Sequence, residues 1–230
     1  MCGDHTDTGF CRYFHVIVSD FNDATVPGAM AQQLVILNDA FKDHAFTFTG
    51  GKSWHHTHPE WEYDPNAEWE MKQKYHMGTY ADLNVYVLPS INWVDANPPT
   101  PEQPCFGYAY QPWYVHKEHA ESDDLVMLDG ITIRMDTLPG GTNKLYPMGK
   151  NLVHQVGHWL GCESSMIFQT ATKLIDCDAV EHTFQHACDG DDIGDTTPEA
   201  EPSYECDLNR STCPGGLPDP VNNYMDYSPE

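Results

Sequence analysis

His154 and His158 stand four residues apart in the run LVHQVGHWLG, Leu152 to Gly161. In a helix that spacing sets two imidazoles on one face, one turn apart, where a single metal ion can bridge them. Gly157 and Gly161 are poor helix-interior residues, so something other than helix propensity selects them. Gln155, directly after the first histidine, offers an amide that can hold a water molecule but cannot take its proton. A second histidine group, His55, His56 and His58 in SWHHTHPEW (Ser53 to Trp61), has no scaffold of defined spacing and reads as a surface loop.

The elements that must position these residues are legible in order. Arg12 to Ser19 is β-branched, aromatic and nearly continuous in apolarity, which predicts a buried strand. Pro27 to Lys42 carries a helical stripe, and Phe46 to Phe48 predicts a short strand ended by Gly50-Gly51. Asn66 to Met77 predicts a helix stopped by Gly78, and Ala81 to Leu88 a strand. Asn92 to Pro104 reads as a loop and Phe106 to Tyr110 as a short edge strand. Leu125 to Asp136 predicts a further strand, and Tyr146 to Gly161 the histidine-bearing helix. This alternation predicts an α/β layered arrangement in which the last helix packs on the sheet through Leu152, Val153 and Val156. After Gly161 the periodicity fades and glycine, proline, aspartate and cysteine take over. The expected organisation is an N-terminal subdomain, 1–161, ending in the histidine helix, and an irregular disulfide-containing subdomain, 162–230.

The chain of 230 residues is 40% hydrophobic, enough for a substantial core. Its 35 acidic residues against 11 basic give a net charge of −24, which argues against nucleic acid and anionic membranes as partners. No apolar run approaches the ~20 residues that cross a bilayer. Met1 to Asp7 is polar and has no apolar signal-peptide core. Eight cysteines, four of them (Cys177, Cys188, Cys206, Cys213) in the late acidic stretch, read as a disulfide framework. The expectation is a secreted protein in a mature or trimmed form.

The segments HQVGHWLG, HTFQHAC (His182 to Cys188), GDTTPEA (Gly194 to Ala200) and NNYMDYS (Asn222 to Ser228) resemble the pappalysin family of metzincin zinc metalloproteases. Fungal extracellular metalloproteases and archaeal ulilysin belong to this family. EMKQKYHMGTYADLNVYVLP and DGITIRMDTLPGG extend the resemblance, which runs from about Tyr13 to Ser228. It implies a twisted, mixed five-stranded sheet with an antiparallel edge strand, a backing helix, an active-site helix and a methionine turn centred on Met225. The helix motif departs twice from H-E-x-x-H-x-x-G-x-x-H. Gln155 stands where the family has glutamate, and Ser164 where it has the third histidine.

The resemblance implies a Zn2+ ion on His154, His158 and a third ligand. That third ligand is expected to be His182, displaced by an insertion at about 163–181, with His186 as the weaker substitute. An insertion of this length is tolerable because loop-closure entropy grows only with the logarithm of length. The implied reaction is hydrolysis of peptide bonds in a peptide or protein substrate by zinc-activated water. Gln155 at the general-base position predicts that this reaction is impaired; the alternative is a non-catalytic pseudoprotease that binds peptides. The acidic stretch at Asp189, Asp191, Asp192 and Asp195 lies where the family places calcium, so Asp192, Asp195 and Thr197 are candidate Ca2+ ligands, with a solvated acidic loop as the alternative. The family pattern pairs Cys188 with Cys213. It pairs Cys206 with a cysteine just after the methionine turn; the sequence ends at Glu230 without one. Cys206 is then expected to stay a thiol or to find another partner, such as Cys177 or Cys162.

Overall fold

ADLNVYVL alternates apolar and polar residues as far as Asn84 and then runs apolar from Val85 to Leu88, a run that suits a strand covered on both faces. The computed structural model describes residues 9–18, 26–44, 47–58, 61, 67–91, 105–112, 126–162, 188, 196–201, 203 and 205–229. In it this segment is the central strand β3 (Asp82–Leu88), buried along its whole length. The other strands are β1 (Gly9–Val18), β2 (Thr47–Thr57), β4 (Gly107–Ala109) and β5 (Ile131–Arg134). They form one sheet in the order β2-β1-β3-β5-β4. Neighbours pair in parallel except β4, which runs antiparallel to β5 at the edge. The expected mixed five-stranded α/β sheet with an antiparallel edge strand is present.

Among the described residues three helices flank it: α1 (Val26–Ala40), α2 (Glu68–Tyr75) and α3 (Lys150–Trp159). On one face Phe14, Val16 and Val18 of β1, Leu83, Val85 and Val87 of β3, and Ile131 and Ile133 of β5 pack against Met30 and Leu37 of α1. The same cluster takes in Leu152, Val153 and Val156 of α3, as their spacing predicts. On the opposite face Ile17, Tyr86 and Leu88 meet Met71 of α2 and Trp61. Strand alternation thus feeds two cores, and the histidine helix belongs to the larger one.

Four expectations are corrected. β2 does not stop at Gly50-Gly51 but continues through Thr57. The pairing steps from Cys11–Thr49 to Tyr13–Lys52, so the two glycines sit in a bulge where β2 carries one extra residue. A strand glycine here marks an irregularity rather than an end, and His55 and His56 lie on a strand, not in a surface loop. Leu125 to Asp136 is not one strand: a single 3-10 turn, Val126–Leu128, precedes β5, and another, Met135–Thr137, follows it. Gly130, at φ +108°, makes the break, where a Cβ would collide with the Asn84 carbonyl of β3. The histidine helix starts at Lys150 rather than Tyr146, because Gly149 precedes it in a left-handed conformation. Among the described residues, no helix is long and apolar enough to cross a membrane.

Candidate active site

α3 is enclosed on nearly every side, with Leu152 through Trp159 all buried. Side chains from four elements fix its position. Gln33 of α1 donates to the Gly149 carbonyl (2.7 Å) at the helix start. Asn151 donates to the Phe106 carbonyl beside β4 (3.0 Å) and to Thr137 Oγ1 (2.9 Å). Trp159 Nε1 donates to buried Asp129 (3.0 Å), which projects from the turn before β5. Lys72 of α2 holds that turn by donating to the Leu128 carbonyl (2.8 Å) while paired with Glu68 (2.9 Å). Burial pushes the Asp129 carboxyl up to about 6, against the Trp159 hydrogen bond and the Lys72 charge, which pull the other way.

Both glycines of the motif now have reasons. Gly161 lies at φ +97°. Its N–H donates to the His158 carbonyl and the Cys162 N–H to the Gly157 carbonyl, both at 2.9 Å, the two bonds of a Schellman cap. That cap turns the Cys162 carbonyl back over the helix end, where it accepts from His158 Nδ1 (2.9 Å). Gly157 faces the tight turn Asn223–Asp226, and a Cβ there would run into Met225 Sδ, with Met225 Cε at 3.2 Å. The methionine seats in the gap that the missing side chain leaves between the two histidines. Asn223 shapes this turn by accepting the Met225 N–H on its side chain (2.9 Å). The turn presents the Tyr224 carbonyl to His154 Nδ1 at 2.6 Å.

Each imidazole therefore gives its Nδ1–H to a fixed backbone carbonyl, which leaves Nε2 as the lone-pair nitrogen of the neutral ring. The two Nε2 atoms face one another at 3.0 Å. Two lone pairs at that distance repel unless a cation lies against both. Zinc–nitrogen bonds of about 2.0–2.1 Å at a tetrahedral angle separate ligand nitrogens by about 3.3 Å, so the pair fits such an ion. Zinc in this role supplies Lewis-acid polarisation. Gln155 lies between the two histidines in sequence and is 2% exposed. The Tyr227 ring stands 5.7 Å from the His154 ring, centroid to centroid.

Behind the methionine turn lies a buried charge cluster. Asp226 follows Met225 and takes the Tyr227 N–H (2.7 Å). Arg210 pairs with Glu199 and, at 3.0 Å, with Asp219, whose other oxygen accepts from the Thr212 N–H (3.0 Å). Burial, then the neighbouring Asp226 carboxylate, raises the Glu199 carboxyl well above the usual range, while Arg210 opposes the shift. The Cys188–Cys213 disulfide closes over this region. Cys206, expected to stay a thiol or to find another partner, is a thiol whose Sγ lies 3.0 Å from the Pro229 carbonyl, and Cys162 is likewise a thiol.

Of the residues singled out in the sequence, His154, His158, Gln155 and Met225 come together. His182, His186, Asp192 and Asp195 lie outside the described residues; Thr197 is half-buried, two residues before Glu199. Among the described residues, no group of three or more His, Cys, Asp or Glu side chains converges as a metal-ligand set. Gln111, Asp129 and Asn151 are positioning residues that carry no signature in the sequence. Gln111, just beyond β4, donates to the same Cys162 carbonyl that orients His158 (3.2 Å). No local pattern marks them, because each acts through a contact distant in sequence.

A mixed sheet with an antiparallel edge, a buried helix carrying two facing imidazoles and a methionine turn seated beneath it define the metzincin class of metalloproteases. No family model matches the chain. Over 94% of its length it is 32% identical to Extracellular metalloprotease 1 of Coccidioides posadasii and covers 68% of that relative. An extracellular metalloprotease of Colletotrichum graminicola is 35% identical with the same coverages. Among solved structures, mature mirolysin of Tannerella forsythia in complex with a cleaved peptide shares the fold at a TM-score of 0.64 and 16% identity, over 98% of this chain and 85% of that one. The chain belongs to the pappalysin family of metzincins, with these extracellular metalloproteases as relatives. Zinc is the metal of that family.

Proposed function

We propose that this chain is an extracellular zinc-binding, peptide-binding metalloendopeptidase homologue in which Gln155 has slowed peptide hydrolysis. The observation that carries the reading is the 3.0 Å approach of His154 Nε2 and His158 Nε2, with each Nδ1 hydrogen-bonded to a backbone carbonyl. His154 and His158 are the two helix-borne zinc ligands in this reading, and His182 is the third. An extended peptide adds along β4, the antiparallel edge strand, over the floor made by α3. Secretion is supported by the relatives, which are named extracellular.

Gln155 takes the position of the proton-accepting glutamate. Its amide oxygen accepts a hydrogen bond from water and its amide nitrogen donates one, so it can orient a nucleophile. It cannot take up the proton that the attacking water must lose and that the leaving amine must gain. General-base assistance is worth about 10²–10⁴ in rate, so the residual activity is expected to be lower by that factor. This same residue favours a second reading, a pseudoprotease that holds peptides without cutting them.

Comparing the wild-type chain with Gln155→Glu on a protein substrate, with and without chelator, decides among these. The expected result is slow, chelator-sensitive cleavage that rises about 10²–10⁴-fold in Gln155→Glu. Wild-type cleavage as fast as that of the variant would sink the impairment. Peptide binding with no cleavage by either protein would leave the binding-module reading standing alone.

A further inference from the structure

The chain contains a single N-x-S/T triplet, Asn209-Arg210-Ser211. A triplet of this kind arises often by chance, and what distinguishes an acceptor is presentation. Asn209 is exposed at the tip of a turn closed by the Arg210 N–H on the Asp207 carbonyl (3.1 Å), and Ser211 is exposed beside it. The middle residue does the opposite. Arg210 turns inward to Glu199 and Asp219, its Nη2 donates to the Glu201 carbonyl (2.8 Å), and its carbonyl accepts the Asp219 N–H (2.8 Å). With Arg210 pinned in the buried cluster, the flanking asparagine and serine are both directed to solvent. Among the described residues, the Asn209 side-chain nitrogen has only a contact at the limit of hydrogen bonding, 3.5 Å from Asp207 Oδ1. Leu208 beside it is 61% exposed and Leu217, in the loop that Arg210 and Asp219 close, is 62% exposed.

We propose that Asn209 is an N-glycosylation site, carrying an oligosaccharide on Nδ2 that covers these two leucines. The donor class is a polyprenyl-pyrophosphate-linked oligosaccharide, used by the oligosaccharyl transferase of the secretory pathway. The sugar C1–O bond to the pyrophosphate breaks and a C1–Nδ2 bond to Asn209 forms. The amide loses one proton to solvent water, and polyprenyl pyrophosphate leaves with the electron pair of the broken C1–O bond. The Ser211 hydroxyl is the recognition group two residues on. The inference rests on the secretory route that the extracellular relatives support, and not on whether the active site cuts peptides.

The test translates the full chain behind a cleavable secretory leader in the presence of microsomes and follows the protease-protected, lumenal product. Wild-type chain is expected to drop in mass on treatment with peptide N-glycosidase, with Asn209 recovered as aspartate in the tryptic peptide. Asn209→Gln and Ser211→Ala are expected to run at the deglycosylated mass from the outset, and Ser211→Thr to retain the shift. The Cys188–Cys213 disulfide, read by non-reducing peptide mapping, verifies that each variant has folded. A lumenal, disulfide-bonded wild-type chain whose mass the glycosidase leaves unchanged overturns the assignment. A glycosylated chain that neither binds zinc nor cleaves peptide upholds it and counts against the metalloprotease reading alone.

Discussion

Two groups of histidines lie in this molecule with similar spacings between ring nitrogens and opposite chemistry. On α3, His154 and His158 approach at 3.0 Å; across β1 and β2, His15 Nδ1 and His56 Nε2 approach at 3.4 Å. The difference is what holds the remaining nitrogen. In the helix pair both outer nitrogens donate to carbonyls, so both lone pairs converge. In the sheet group His15 Nε2 donates to Asn84 Oδ1 (3.2 Å), so its Nδ1 accepts from His56 and the pair satisfies itself. Ring stacking completes that layer: His15 between Trp54 and Tyr86, and His56 on Tyr75 at 3.6 Å. Burial lowers both His15 and His56 to about 4, and His76 in the same direction. Metal competence is thus decided by the acceptor behind each ring more than by the distance between rings.

The comparison can be broken at either end. The largest effect is expected from His154→Ala, which should abolish stoichiometric zinc in the purified protein, whereas His56→Ala leaves it intact; elemental analysis after gel filtration reads both. Equal loss in the two variants would end the distinction. Gly157→Ala comes next, because its Cβ meets the Met225 sulfur; overpacking of this kind costs about 1–3 kcal/mol. Denaturant midpoints should show the loss, and Met225→Ala in the same chain should recover part of it, as coupling between touching residues requires. Gln111→Leu removes a support of the Cys162 carbonyl and should weaken zinc about tenfold in competition with a chromophoric chelator, the low end of outer-sphere effects.

The smallest effect concerns pH. Histidine titrates near 6.5 unfolded and at about 4 in His15 and His56, so between these values the unfolded chain holds more protons. The stability that the neutral stack contributes is complete above about 6.5 and falls as the pH drops towards 4. Glu199 acts in the opposite sense. Its carboxyl rises from 4.5 to about 8 on folding, so its contribution is complete below 4.5 and is lost as the pH climbs through 8. Urea midpoints of wild type and His15→Phe from pH 4 to 8 should separate them: the variant keeps its stacking partners and loses less stability on the acid side only.

The helix pair was legible in the sequence because i, i+4 spacing is local geometry, and so were the buried strands, whose apolar runs announce burial on both faces. Met225 was legible only through the family resemblance. Its contact with Gly157 joins segments far apart in the chain, and nothing in either segment alone foretells the other. The length of β2 is illegible for the converse reason: a glycine pair looks like a stop until the neighbouring strand that accommodates the bulge is in place. Asp129 and Gln111 read as ordinary polar loop residues until Trp159 and the Cys162 carbonyl are placed beside them.

The carbonyl that fixes His154 belongs to Tyr224, 70 residues further along the chain. A nascent polypeptide therefore carries both helix histidines out of the ribosome long before it has the turn whose carbonyl fixes the His154 ring. In the zinc-binding reading proposed above, metal capture is a late event in biosynthesis, coupled to docking of the last loop. The same reading expects a cut in that loop to weaken metal binding even though both helix histidines remained in place.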